Sequence, residues 1–357
     1  MAAQTSNRRT PVRIGIVGLG RMGWGAHVPA YESRPEQFRV VAACDVDPDR
    51  ITRAAERLGC KTYHRFEDMI ADAEVEIVDI ATTSCYHYPQ AMAALEAGKG
   101  VIVQKPMCMR HCEALAMVDA SRRNSVPLFV FHNRRFEPAF NHVLEIIDSG
   151  IIGEVFEIKL RRNGYSRRND WQTVLRLGGG QLTNWGPHLI DHGLRFVGGP
   201  IVDIWSDLKR VAAVGDAEDH FRIILKGENG RVVDIEVSGG AAVPEHIYTV
   251  FGTRGGLTSD DNQIYLRYLD PNHTLPPRPL IDSTPPQDSP YGYPDDLKWI
   301  EETIDVNPAS GANLDDIWEH FHAALRLGKP FPITLEESVE VVRVTNEVFR
   351  GTEFDRG

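Results

Sequence analysis

Near its N-terminus the chain reads Arg13-Ile14-Gly15-Ile16-Val17-Gly18-Leu19-Gly20-Arg21-Met22-Gly23, an apolar run that breaks into a Gly-x-Gly-x-x-Gly turn. Such a run is a buried strand, and the turn after it suits a phosphate. A diphosphate needs backbone N–H groups at close range. Gly18 makes the tight turn, Gly20 keeps a Cβ out of the ligand's path, and Gly23 lets helix and strand pack closely. A second apolar run, Arg39 to Cys44, ends in Asp45, 22 residues beyond Gly23. A carboxylate there accepts hydrogen bonds from an adenosine ribose and repels a 2′-phosphate, so the pair of stretches points to NAD in preference to NADP.

The same alternation continues to about residue 132. Strand-like runs at Lys61–Tyr63, Glu76–Thr82, Gly100–Val103 and Pro127–Phe131 are separated by helical stretches at Ile51–Leu58, Phe66–Ala71, Pro89–Ala97 and Cys112–Arg122. Gly59 and Gly98 close two of these helices, and Pro29 is expected to break the first one near His27–Pro29. Strands alternating with helices require parallel pairing and right-handed crossovers, which predicts a doubly wound Rossmann domain over 11–132 behind a disordered tail at 1–10.

After a helix at Pro138–Asp148 the pattern changes. Val155–Leu160, Ile201–Leu208, Phe221–Leu225, Val232–Val237, Ile247–Phe251 and Ile264–Leu269 are strand-like, several of them alternating strictly, and Glu228-Asn229-Gly230 marks a hairpin. This predicts a second α/β domain over 133–335, built on a large, mostly antiparallel open sheet. Pro271 to Pro294 holds eight prolines and no periodicity, so it is expected to be a long ordered loop. Leu314, Ile317, Trp318, Phe321 and Leu325 mark an amphipathic helix stopped by Gly328 and Pro330, and a last helix, Glu336–Phe349 within 336–357, is expected to pack back on the first domain.

The formal charge of −11 argues against sequence-independent binding to nucleic acid or to an anionic membrane, and no run of about eighteen apolar residues exists to span a bilayer. Arg8-Arg9 is followed by no apolar stretch, so a secretory signal is not expected. Five cysteines, odd in number and without a C-x-x-C, suit a reducing cytoplasm.

Two further stretches carry chemistry. Gln104-Lys105-Pro106 follows the fifth strand, at the carboxyl edge where ligands bind in open α/β sheets, and a lysine there can stabilise an alkoxide as hydride leaves. The segment Gly178-Gly179-Gly180-Gln181-Leu182-Thr183-Asn184-Trp185-Gly186-Pro187-His188 supplies glycines for close approach to a ligand and a histidine suited to act as a base. If the chain is helical from Asn184, then Asn184, His188 and Asp191 share one face. His188-x-x-Asp191-His192 mimics a zinc-binding helix, but aspartate stands where glutamate would be required and no third ligand is near, so no metal is expected.

Together Gly18-x-Gly20-x-x-Gly23, Lys105-Pro106, Asn133-Arg134-Arg135-Phe136 and the glycine run leading to His188 resemble the glucose-fructose oxidoreductase/inositol dehydrogenase (Gfo/Idh/MocA) family over nearly the whole chain. The resemblance implies NAD(P)-dependent chemistry at a sugar or polyol carbon, with Lys105 and His188 as the catalytic pair and homodimers or homotetramers formed through the second sheet. It places Arg21, Met22, Ala81, Thr82, Ser84, His87 and Gln104 beside the cofactor. An arginine, Arg134 or Arg135, falls near the substrate. Tyr165 and Trp171 lie in a region that approaches the substrate, and Trp171 suits the apolar face of a sugar ring. The four arginines between Arg161 and Arg168 offer a site for a carboxylate, phosphate or glycosyl partner, or form a solvated rim paired with Asp and Glu, the preferred reading. Where the family usually has Glu-Lys-Pro and an aspartate four residues before the histidine, this chain has Gln104 and Asn184. Loss of two acids should lower the pKa of Lys105 and of His188.

The expected activity is therefore hydride transfer between NAD and a secondary hydroxyl of a sugar, glycoside or inositol. Two rivals use the same fold: an enzyme that retains and recycles NAD through a keto-sugar, and an NAD-binding sensor without chemistry.

Overall fold

The computed structural model describes residues 10–284 and 295–355. The tail at 1–9 and half of the proline-rich stretch lie outside them. Six strands, β1 (Val12–Val17), β2 (Phe38–Cys44), β3 (Lys61–Tyr63), β4 (Ile77–Ile80), β5 (Gly100–Gln104) and β6 (Leu128–Phe131), form an all-parallel sheet in the order β3-β2-β1-β4-β5-β6. Both faces are covered, so β4 and β5 are buried along their whole lengths and alternation is lost. The strand order reverses between β1 and β4, where the carboxyl ends open a crevice. The glycine turn leaves β1 at that point, and Ala81-Thr82 leaves β4 beside it.

The first helix does not break at Pro29. A wide π-turn over Gly23–His27 runs directly into an α-helix over Val28–Glu32, with Pro29 in its first turn, where a missing N–H costs nothing. The π-turn carries His27 inward. Its Nδ1 lies 2.7 Å from Asp79 Oδ2 and its Nε2 lies 2.6 Å from Gln104 Nε2, while Tyr31 Oη donates to the same Asp79 oxygen at 2.8 Å.

The second sheet has eight strands: β7 (Val155–Asn163), β8 (Ile201–Lys209), β9 (His220–Gly227), β10 (Val232–Ser238), β11 (Tyr248–Gly252), β12 (Gly255–Ser259), β13 (Gln263–Leu269) and β14 (Trp299–Asp305). Their order is β14-β13-β12-β11-β7-β10-β9-β8, antiparallel except where β10 lies parallel to β7. The predicted hairpin joins β9 to β10. β12 and β14 were not expected from the sequence: the first is Gly-Gly-Leu-Thr-Ser, with little side chain to show a period, and the second is acidic and follows the prolines. One face packs against the helices Pro138–Asp148, Gly186–Val197 and Leu335–Phe349. On the strands, Phe156, Trp205, Phe251, Tyr265 and Trp299 remain exposed.

The chain returns to its first domain at the end. Trp318 and Phe321, on the helix Asp316–Leu327, are buried among Ile14, Ile16, Phe38 and Phe131, although the sequence assigns this stretch to the second domain. Its periodicity showed an apolar face but not which core that face fills. Arg326 fixes it there, donating to both Glu76 oxygens at 2.6 and 2.7 Å and to the carbonyl of Thr10 at 2.9 Å. The last helix bridges both halves, with Val342 in the first core and Val341, Val344 and Val348 in the second.

Candidate active site

A cavity of about 1020 Å³ runs from Asp45 to His188 between the two domains. At one end the glycine turn has the form its sequence requires. Gly18 has a φ of +90°, and a Cβ there would lie 2.7 Å from the Ala81 backbone; one on Gly23 would lie 2.0 Å from the Gly18 carbonyl. Gly20 differs, because its Cβ would meet nothing closer than an Arg50 nitrogen at 4.0 Å. The turn is thus packed on its protein side and bare on its cavity side, which fits a diphosphate. Asp45 is buried and partly committed to the fold, accepting from Leu19 N–H at 2.7 Å and Asp47 N–H at 3.0 Å, with Arg50 Nη1 3.4 Å away. Arg21, Met22, Ala81, Thr82, Ser84, His87 and Gln104 all line the cavity. His87 is occupied: its ring nitrogens lie 2.7 Å from the Pro106 carbonyl and 3.1 Å from that of Thr82, tying the loops after β4 and β5 together.

At the other end Lys105, His188 and Asn184 come together. Lys105 Nζ donates to the Asn184 backbone carbonyl at 2.8 Å and to Asn184 Oδ1 at 3.3 Å; Gln172 Nε2 donates to the same Oδ1 at 2.9 Å. Burial, then Arg134, Arg168 and Arg21, pull the Lys105 ammonium down to about 7. Burial, followed by Lys105 and Arg134, holds His188 well below the usual imidazole range, so its ring is neutral near pH 7. Burial and the neighbouring cations drive both shifts, whereas the sequence reading had rested on the loss of two acids. His188 Nδ1 and both nitrogens of the buried His132 have no hydrogen-bond partner among the described residues.

Three expectations are corrected here. Asp191 does not face the cavity: the helical segment breaks at Trp185 between Gln181–Asn184 and Gly186–Val197, and Asp191 is buried in an ion pair with Arg135, accepting from its Nε and Nη2. Tyr165 is exposed and pairs with Gly240 at the edge of the second sheet, away from the lining. The arginines from Arg161 are not one solvated rim. Arg161 is buried on Asp234, Arg162 pairs with Glu137, and Arg168 lines the cavity with Trp171. The glycine run also serves protein contacts, since a Cβ on Gly178 would fall 2.7 Å from Ser84 Cβ across the domain boundary. Of the two candidate arginines, Arg134 is the one at the cavity, its guanidinium 4.3 Å from the centre of the Trp185 ring.

Gln172 and Trp185 were missed by sequence reasoning. Gln172 connects Arg21, Arg168 and Asn184, and Trp185 lies under Arg134 and Arg162. Gln172 carries no periodic or motif signal, and Trp185 lies within the glycine-run segment without being marked out there.

A doubly wound domain with a glycine turn at its switch point, joined through a lysine–histidine cleft to an open-sheet domain, defines a two-domain NAD-binding oxidoreductase. Residues 12–132 match the oxidoreductase family with NAD-binding Rossmann fold, and residues 140–258 match the GFO/IDH/MocA C-terminal domain; the chain belongs to this family. It is 30% identical over 294 residues to an uncharacterised oxidoreductase of Schizosaccharomyces pombe, covering 79% of this chain and 76% of the relative. The scyllo-inositol 2-dehydrogenase (NADP⁺) of Bacillus subtilis is 23% identical, over 93% of this chain and 91% of its own. Among solved structures, an NAD-binding protein from Listeria innocua superposes with a TM-score of 0.79 at 26% identity, covering 96% of this chain and 94% of that one.

Proposed function

We propose that this oxidoreductase moves a hydride between a nicotinamide cofactor and a secondary hydroxyl of a sugar, glycoside or inositol. The observation that carries the reading is a neutral, buried His188 beside Lys105 in one cleft with the bare side of the glycine turn. Bound along that cleft, the cofactor supplies the hydride acceptor. His188 takes the hydroxyl proton, and its depressed basicity keeps it unprotonated and ready at neutral pH. Lys105, in its charged form, donates to the oxygen on which negative charge develops. Asn184 and Gln172 hold the ammonium in place through the shared amide oxygen. Asp45 favours NAD over NADP, although Arg50 beside it is the kind of group that receives a 2′-phosphate. The exposed aromatics of the second sheet support a homo-oligomer formed through that face.

A panel of sugars, glycosides and inositols with NAD and NADP, followed by NADH absorbance, tests the reading. Reduction that disappears in both Lys105→Ala and His188→Ala supports it; substrate-dependent reduction that survives both substitutions refutes the assignment of the pair.

A further inference from the structure

The reactive half of the cavity is lopsided in charge. Lys105, Arg134, Arg168 and Arg21 line it, and the carboxylates among the lining residues are Asp170 and, at the far end against Arg50, Asp45. Asp170 is divided: its Oδ2 accepts from Arg168 Nη2 at 2.9 Å and Arg21 Nη2 at 3.3 Å. Glu137, behind Arg134, is shared with Arg162 in the same way. The other polar groups near Lys105 are amides, Gln104, Gln172 and Asn184, which add no charge. Donors are also left over. Arg134 spends Nη1 on Glu137 at 3.0 Å, and Arg168 spends Nε and Nη2 on Asp170 and Gln172. Among the described residues, Arg134 Nε and Nη2 and Arg168 Nη1 have no hydrogen-bond partner, and none of the three is a buried atom.

We infer that the substrate is an anion, a sugar or polyol carrying a carboxylate or phosphate that Arg134 and Arg168 bind. The inference rests on the dehydrogenase reading and names the class of its substrate. The Arg134 fork, with Nε and Nη2 free, matches either oxyanion, Arg168 adds its free Nη1, and the Trp185 ring lies against the Arg134 guanidinium. A neutral sugar would leave these charges uncompensated beside Lys105, whose ammonium is already depressed to about 7 by burial and by these same arginines. An anion reverses the electrostatic part, so its binding above pH 7 takes up a proton at Lys105. A rival use exists for the charges, the cofactor's own diphosphate. Arg21, inside the glycine turn, is placed for that role; Arg134 follows β6, and its charge acts on Lys105 and His188.

The test uses glucose, galactose and mannose, their uronates and their 6-phosphates with the NAD-loaded protein. Turnover is followed by NADH absorbance, and binding to the NADH complex by calorimetry in two buffers of different ionisation enthalpy. We expect at least one uronate or one phosphate to bind at least about tenfold more tightly than its neutral parent, with proton uptake at pH 8. The arm that responds tells carboxylate from phosphate. In Arg134→Gln and Arg168→Gln the anionic-to-neutral ratio falls at least about tenfold. Both variants leave every carboxylate with a cation, since Glu137 keeps Arg162 and Asp170 keeps Arg21. Neutral sugars bound as tightly as the anionic ones overturn the inference, and leave the dehydrogenase reading standing if they are turned over. Anion-selective binding without any turnover supports the anion site and refutes the dehydrogenase. A rise in KM for NAD alone in Arg168→Gln, with the ratio unchanged, assigns that arginine to the cofactor and overturns its role here.

Discussion

Asn184→Asp puts a carboxylate where an amide oxygen now accepts from Lys105 Nζ at 3.3 Å. At that distance and an effective dielectric of about 20, Coulomb's law gives about 5 kcal/mol in favour of the charged lysine. Desolvating the new carboxylate takes back a large share, and opposite charges this close typically shift a pKa by about 1–3 units. Lys105 should therefore move from about 7 to roughly 8–10. The fold should tolerate the change. Gln172 still donates to Oδ1, and the weak 3.4 Å contact from Asn184 Nδ2 to Gln181 is regained when the Gln181 amide flips to donate. The sign follows from the role of Lys105. It acts when charged, so native kcat/KM should be level below its pKa and fall as pH rises through about 7. In the variant the fall begins one to three units higher, and at pH 8.5 its kcat/KM, relative to its plateau, should exceed the native value by about tenfold. The assay is initial-rate NADH absorbance from pH 5.5 to 10 for both proteins, with Lys105→Arg as a control that should lack the limb because a guanidinium does not titrate there. A limb that stays at the native position, or moves down, refutes the electrostatic argument.

Two alanines in the glycine turn should separate folding from binding. Gly23→Ala forces a Cβ to 2.0 Å from a carbonyl and should cost about 2–4 kcal/mol in chemical denaturation, whereas Gly20→Ala should leave the melting temperature unchanged and weaken NADH binding in a fluorescence titration. Asp191→Asn should destabilise the protein by about 1–3 kcal/mol in urea, since Arg135 loses the carboxylate on Nε and Nη2 but keeps Glu337 on Nη1. Burial raises the Asp191 carboxyl, but Arg135 outweighs it and the net shift is downward; its stabilisation is present above about pH 4 and is lost as pH falls through the lowered value, so the native–variant difference in urea should shrink in acid. Gln104→Glu removes the donor facing His27 Nε2 at 2.6 Å and should lower the melting temperature. An unchanged melting temperature would contradict that hydrogen-bond assignment.

Where a residue type solves a local problem, the sequence was readable. Gly18, Gly23 and Gly59 announced a strand, a turn and the end of a helix because backbone geometry demands them. Lys105 drew attention because strand ends in such sheets border the ligand, and His188 because a glycine run leads to it. What failed depended on partners far along the chain. Asp191 shows a helical period with His188, but only the position of Arg135 decides that its carboxylate turns inward. Arg161 and Arg168 look alike in sequence and are separated by Asp234, which sits under the first and not the second. Pro29 suggested a break because a π-turn, which admits the proline, has no signature of its own. β14 was hidden because its charges are cross-strand partners, Glu301 to Arg267 at 3.1 Å, visible only once β13 lies beside it.

The return of Trp318 and Phe321 to the first domain sets an order of events during synthesis. Ribosomes deliver the N-terminal end first, and domains ordinarily fold as they emerge. Here the sheet of β1 to β6 is complete in sequence by Phe131, yet the aromatic side chains that cover Ile14, Phe38 and Phe131 arrive almost two hundred residues later. Until then that face lacks its cover, and the residues of the second sheet must be made before the first domain can close. The glycine turn is thus made long before the side chains that complete the domain carrying it.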